Sequence, residues 1–550
     1  MQQKPWMWQQ AVLVAWLGMM WCGFLAGPAL AQTGTTPSAA DVEAGKDLYT
    51  QHCMHCHGEA GDGKGVSAAV VSPKPRDFTS GIYKFRTRHQ NANEEKIPAD
   101  EDIFRSINDG LHGTSMPAWG GFLTKPQIWQ LVAYVKTFAS VFKEEKPGAA
   151  LDFSGEIPSS PASIAKGKEQ FDGGTFNCVS CHGSAGRGNG QQALDGLKDD
   201  WGERIWPANL TKPWTYRGGH NRRDIFRNVV MGIRGTPMPA FADPDPVAAA
   251  REITDAQQRK EAEAQARETR ENLWHMVNYV QSLWTYPEEP DVKSVLTAKR
   301  IDGPLPLGPD DAAWKKAPTN YYPLVGQVTE DPRLFTPLIV GLEIQALHNG
   351  KEVAFRLVWD DRTESKPGGS GETATFADAV ALQFPAHPLQ GAERPYFLMG
   401  DAKRPTDLWY WRNDTPDKAV VVQTTGSKSF QPGDNSGGLH AQGIADNGQY
   451  RVVLQRALHT KNADKEVQFG VGIFLPFSIT TWDGSNGEQG GGKRTVTAWY
   501  NLYLEPEPSQ APVYLWGMGI VLGVILQFSA YYVTRRGQGQ SNTVSETGRN

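Results

Sequence analysis

The rhythm of hydrophobic and polar positions changes along the 550 residues, and each change marks a different kind of structure. Between about Ala39 and Trp284 apolar residues recur at helical spacing, in two runs that match each other. Gly45, Lys46 and Tyr49 lead the first run as Gly167, Lys168 and Phe171 lead the second. Trp129, Val132, Tyr134 and Val135 close the first as Trp274, Val277, Tyr279 and Val280 close the second. A three-to-four residue apolar period predicts amphipathic helices at both ends of each unit. Between them Asp102-Ile103-Phe104-Arg105 aligns with Asp224-Ile225-Phe226-Arg227, Gly110 with Gly232, and Met116-Pro117-Ala118 with Met238-Pro239-Ala240, without a gap. Two copies of one small, mostly α domain are expected, over residues 38–148 and 158–286. From Val247 to Arg270 the second copy carries an insert rich in Ala, Glu, Gln and Arg, expected as a solvated helix running into the closing one.

From about Lys293 to Glu505 the pattern alternates instead. Leu342 to Leu347, the Asn349-Gly350 turn and Val353 to Trp359 predict a hairpin. Further strands are expected at Ala379–Phe384, Leu408–Trp411, Tyr450–Leu454, Val467–Phe474 and Thr495–Leu504. Short strands joined by Gly- and Pro-rich connections predict a β-sandwich over residues 293–506.

Two apolar runs stand outside these domains. Ala11 to Leu25, preceded by Lys4 and followed by Ala29-Leu30-Ala31, predicts a signal peptide over residues 1–31. Val513 to Val533 holds no charge and is followed by Arg535 and Arg536, which predicts a transmembrane helix over 512–533 with its C-terminal end in the cytoplasm. The preceding domains then face the periplasm from the bacterial inner membrane. The polar tail, 537–550, is expected to be disordered. Gly519 and Gly523 form a GxxxG that could pack on another helix. The fold class is thus multidomain: two mostly α domains, one β-sandwich and one C-terminal transmembrane helix.

A formal charge of -5 without a basic cluster argues against nucleic acid as a partner. Of five Cys, Cys22 lies in the signal segment, and the rest form two Cys-x-x-Cys-His motifs: Cys53, Cys56, His57 and Cys178, Cys181, His182. Each Cys pair can take both vinyl groups of a haem as thioethers, the His can ligate iron, and Met116 or Met238 can close the other face. A four-cysteine zinc site fits poorly, because such pairs lie about 15–20 residues apart, whereas Cys53 and Cys178 are separated by 125 positions. A redox dithiol needs neither the following His nor the repeated Met-Pro-Ala. In the second unit Met231 aligns with Asp109, a poor haem ligand, and Met276 falls in the closing helix, so Met238 is the expected ligand. His/Met ligation fills both axial positions, which suits electron carriers and argues against a peroxidase. Arg86 and Arg217, in matching positions, either pair with haem propionates or lie solvated on the surface.

These units resemble class I cytochrome c in tandem. In the alternating region spacing alone reveals no chemistry. However, Asp378 to Pro385, Pro395 to Gly400, Leu408 to Trp411, and Trp482-Asp483-Gly484 through Lys493 resemble the ethylbenzene dehydrogenase-related haem-binding domain. That family supplies gamma subunits to complex iron-sulfur molybdoenzymes such as the nitrite oxidoreductase, nitrate reductase and ethylbenzene dehydrogenase types. The resemblance implies a non-covalent haem b held between Met399 and Lys493, for which Lys493 must be buried rather than on the surface. The region also resembles carbohydrate-binding modules, in which Trp409, Trp411 and Trp482 would be stacking platforms. The expectation is a membrane-anchored, non-catalytic periplasmic electron-transfer subunit with two covalent haem c and one haem b. Its expected partners are redox proteins: molybdopterin and iron-sulfur subunits on one side, a cytochrome or oxidase acceptor on the other. The alternatives are a dihaem cytochrome serving a terminal oxidase, and a cytochrome with a sugar-binding or docking sandwich.

Overall fold

The computed structural model describes residues 37–88, 97–148, 150–174, 176–241, 253–369, 375–389, 391, 393–463, 465–507 and 511–541. The expected signal peptide, the start of the insert and the end of the tail lie outside them.

The principal helices are α1 (Ala39–His52), α2 (Asp100–Asn108), α3 (Lys125–Val135), α4 (Pro161–Asp172), α5 (Arg222–Met231), α6 (Ala256–Ser282) and α7 (Ala511–Ser541). Side-chain caps start several of them. Ser38 accepts from the Asp41 N–H, Thr124 from Gln127, Ser160 from Ser163, Asn221 from Asp224 and Asp255 from Gln258. In the first unit α1 crosses α3 at Gly45, where a Cβ would sit 2.1 Å from the Gln130 carbonyl oxygen. In the second, α4 crosses α6 at Gly167, where a Cβ would sit 2.1 Å from the His275 carbonyl oxygen. The repeated glycine therefore lets two helix backbones touch. Around each crossing lies a separate apolar core, with Tyr49, Ile128 and Val132 in the first and Phe171, Trp274 and Val277 in the second. The insert from Ala256 to Arg270 forms the first turns of α6, continuous with the closing helix.

The strands are β1 (Val295–Arg300), β2 (Asn320–Pro323), β3 (Val325–Gly326), β4 (Gly341–His348), β5 (Glu352–Asp360), β6 (Ala379–Pro385), β7 (Thr406–Arg412), β8 (Ala419–Thr424), β9 (Phe430–Pro432), β10 (His440–Asp446), β11 (Gln449–Ala457), β12 (Phe474–Trp482), β13 (Thr495–Val496) and β14 (Tyr500–Leu504). The main ladder runs β10-β11-β5-β4-β1-β14-β12-β6-β7-β8-β9. β12 belongs to both layers: Phe474–Phe477 pairs with β14, and Ser478–Trp482 pairs with β6. Between the layers Ile344, Phe355, Leu357 and Val452 pack against Leu382, Phe384, Trp409 and Ile479 in one core. The hairpin forms as expected, with Ala346 opposite Phe355. Two of the expected strands do not form as expected, and β12 stands where none was expected. Val467 and Phe469 are core residues outside any strand, and β12 begins only at Phe474, beyond Gly470 and a left-handed Gly472 at φ +79. The strand expected over Thr495–Leu504 is broken into β13 and β14.

α7 stands apart, unburied over Met518–Arg535, the candidate membrane span among the described residues. It continues to Ser541, into the segment expected as tail. Gly519 and Gly523 face open space.

Candidate haem sites and the interfaces that join them

Each Cys-x-x-Cys-His motif folds as a single helical turn, Met54–His57 and Val179–His182. In both, the His ring is held by one bond: His57 Nδ1 lies 3.0 Å from the Arg76 carbonyl oxygen and His182 Nδ1 lies 3.1 Å from that of Ala208. A carbonyl can only accept, so Nδ1 carries the proton and Nε2 is left bare, the state an iron ligand needs. Burial holds both imidazoles below their usual pKa, which also favours the neutral ring. The two carbonyls follow Pro75 and Pro207, a repeat legible in the sequence but not singled out there. Burial pushes the Cys53 and Cys178 thiols up to about 12, unlike the thiolates of a redox or zinc site.

The Met loops are copies of each other. Leu111 N–H donates to the Met116 carbonyl at 3.1 Å and Ile233 N–H to that of Met238 at 3.2 Å. Thr114 and Thr236 hydroxyls accept from the N–H of Met116 and Met238. Gly110 and Gly232 take φ +65 and +61, where a Cβ would collide with the backbone of Ala118 or Ala240. Met116 and Met238 are half-buried, whereas Met231 and Met276 are fully buried core residues of α5 and α6. Arg86 is buried, so the solvated reading does not hold for it; Arg217 is partly buried. Burial lowers the pKa of both, Arg86 to about 10.

The repeated Asp-Ile-Phe-Arg segments meet across the interface of the helical units. Arg105 of α2 reaches Asp224 of α5 at 3.2 Å, and Arg227 binds the same carboxylate at 2.7 Å. A second hub joins the second unit to the sandwich. Asp360, at the end of β5, accepts from Arg187 Nε at 3.1 Å, Lys212 Nζ at 2.9 Å and Asn209 Nδ2 at 2.9 Å. Burial alone would raise its pKa, but Lys212 and Arg187 more than reverse this and lower it to about 2. Neither hub was foreseen from the sequence, although the repeated Asp-x-x-Arg was a visible signal for the first.

In the sandwich, Met399 is 0% exposed and packs with Leu408 and Trp482 on the outer face of β6–β8. Its φ of +68 is unusual for a residue other than glycine and marks a constrained position. Lys493 is half-buried and donates from Nζ to the Asn486 carbonyl. The next residue, Arg494, is 0% exposed, and among the described residues none of its three guanidinium nitrogens has a hydrogen-bond partner. A buried guanidinium without acceptors is costly, so this position fits a group that brings an anion, as a haem propionate does. Trp409, Trp411 and Trp482 are buried in the cores, which removes them as sugar-stacking platforms.

Family models match all three regions: one described as Cytochrome C oxidase, cbb3-type, subunit III over residues 40–135, one as Cytochrome c over 164–284, and one as Ethylbenzene dehydrogenase over 311–438. A Haloferax mediterranei protein named for the heme subunit of a respiratory nitrate reductase (ORF7) is 27% identical, covering 40% of this chain and 78% of that protein. The chlorate reductase subunit gamma of Ideonella dechloratans is 26% identical, covering 39% of this chain and 86% of the relative. The cbb3-type cytochrome c oxidase subunit FixP of Sinorhizobium medicae is 26% identical, covering 29% and 44% respectively. The chain is therefore a haem-containing electron-transfer subunit in which tandem cytochrome c domains are fused to a domain of the ethylbenzene dehydrogenase family.

Proposed function

We propose that this chain is a membrane-anchored periplasmic relay passing electrons between a molybdoenzyme-type complex and the respiratory chain. Cys53 and Cys56 attach one haem c, ligated by His57 and Met116; Cys178 and Cys181 attach the other, ligated by His182 and Met238. Met399 and Lys493 hold a haem b, with Arg494 against a propionate; Arg86 and Arg217 serve the covalent haems in the same way. The observation that carries the reading is the chain of contacts: the Asp102/Arg105 and Asp224/Arg227 segments join the two cytochrome domains, and Asp360 joins the second to the sandwich. His57 and His182, each fixed through Nδ1 and bare at Nε2, support ligation without an open substrate position. The haems supply one-electron chemistry; the protein sets their ligands, burial and spacing. The chain itself is then non-catalytic, and α7 fixes it to the inner membrane.

The match of residues 40–135 to a cbb3-type oxidase subunit favours a second reading, a cytochrome serving a terminal oxidase whose sandwich only docks. Co-purification from native membranes separates them. A molybdenum-containing partner is expected; a copper and haem oxidase in its place would overturn the first reading in favour of the second.

A further inference from the structure

Three carboxylates that the haem sites do not use meet where the sandwich abuts the second cytochrome domain. Asp361 follows β5, Asp378 precedes β6 and Asp483 follows β12; all are buried, with ligand oxygens within 4.8 Å of one another. One Asp378 oxygen accepts from the Ser365 N–H at 2.6 Å and the Tyr450 hydroxyl at 2.8 Å, the other from the Gly484 N–H at 2.8 Å. Asp483 Oδ1 accepts from the N–H and hydroxyl of Ser485 and the N–H of Asn486. Asp361 Oδ1 accepts from the N–H and hydroxyl of Thr363. Protein donors aimed at the oxygens favour the ionised form.

One atom points to an occupant. Asp361 is 4% exposed, and its Oδ2 is buried with no hydrogen-bond partner among the described residues. With Asp483, Thr363, Ser485 and Trp206 it lines a cavity of about 10 Å³, against which Asp378 lies just outside the lining. That is room for one ion or one water. Arg362 also lines the cavity, but among the described residues it makes no ion pair within 4 Å of the three carboxylates. It can offset one of three negative charges, leaving two.

We infer that Asp361, Asp378 and Asp483 form a divalent-cation site. The donors are all hard oxygens, and their irregular arrangement suits calcium better than magnesium, which demands near-octahedral geometry. The ion would tie together two parts of the relay. Asp483 opens the loop that ends at Lys493, and Asp361 is the neighbour of Asp360, to which Arg187 and Lys212 of the second cytochrome domain bind. The inference stands whether or not the sandwich holds a haem.

The test uses the full-length chain in detergent, stripped with a chelator and resupplied with calcium chloride. One calcium per chain is expected by elemental analysis, with a melting temperature raised by about 5 °C at saturating ion. Terbium should replace it and emit by transfer from Trp206 or Trp482. Asp361→Asn removes the unpartnered charge but keeps an acceptor for Thr363, so it should fold and bind calcium at least 10-fold more weakly. A wild-type protein that binds no calcium and melts identically with and without it overturns the inference, whatever the variant does. Equal binding by wild type and Asp361→Asn overturns it too.

Discussion

Replacing Asp360 by Asn removes a buried charge of the sandwich that Arg187 and Lys212 of the second cytochrome domain share. Asp360 is mostly buried, with 12% of its side chain exposed, and its pKa falls from 3.8 to about 2. A carboxyl lowered by folding contributes its full stability above the unfolded pKa and loses it as the pH falls through about 2. At pH 7 the shift corresponds to roughly 2 kcal/mol. Asn keeps one acceptor at this position and Arg187 keeps its bond to the Asn447 carbonyl, so the loss should stay near this value and below that of a buried ion stripped of every partner. In a domain of this size 2 kcal/mol lowers the melting temperature by about 4–8 °C. Calorimetry at pH 7 should therefore show the second cytochrome domain and the sandwich melting together in the wild type, and lower and separately in Asp360→Asn. A double-mutant cycle with Lys212→Met should return a coupling of about 1 kcal/mol or more. A shift below 1 °C with no coupling would refute the reasoning, because the carboxylate would then be no more than a surface charge.

Four further outcomes follow from the geometry. Met238→Leu should abolish the sulfur-to-iron charge-transfer absorption of one haem c, while Met231→Leu should leave it and cost about 1 kcal/mol of stability by repacking alone; optical spectra and melts check both. Gly45→Ala and Gly167→Ala each force a Cβ onto a helix carbonyl and should destabilise by about 3 kcal/mol, read by thermal denaturation. Arg494→Gln should lower the ratio of extractable haem to covalent haem about 10-fold while the two covalent haems remain. Met399→Ala should also lose extractable haem, whereas a fully retained haem in both variants would place it elsewhere.

The helical half was legible because its signals are local and repeated. The Cys-x-x-Cys-His motifs, Met-Pro-Ala loops and paired glycines each answer a short-range demand, and an ungapped repeat distinguishes Met238 from Met231 in the sequence. In the sandwich the hairpin at Asn349-Gly350 was equally plain, because the turn residues dictate its register. β12 was misplaced because its neighbours Val467 and Phe469 are apolar for a different reason: they fill the core from a connection broken at Gly470 and Gly472. Long-range chemistry left weaker traces. Asp360 acquires its role only when Arg187 and Lys212, more than a hundred positions earlier in the chain, fold onto it. Likewise Asp361, Asp378 and Asp483 come from three strand ends that only the sheet topology brings together. Trp409, Trp411 and Trp482 show the reverse case, since composition alone allowed them to be surface platforms and packing made them core.

Haem counting on the full chain tests the relay most directly. The purified protein is denatured and extracted with acidified acetone, and both fractions are quantified as pyridine haemochromes. Two haems should remain on the polypeptide with the spectrum of haem c, and one should leave it with the spectrum of haem b. A chain that releases no haem, or that retains fewer than two, would contradict the three-haem relay.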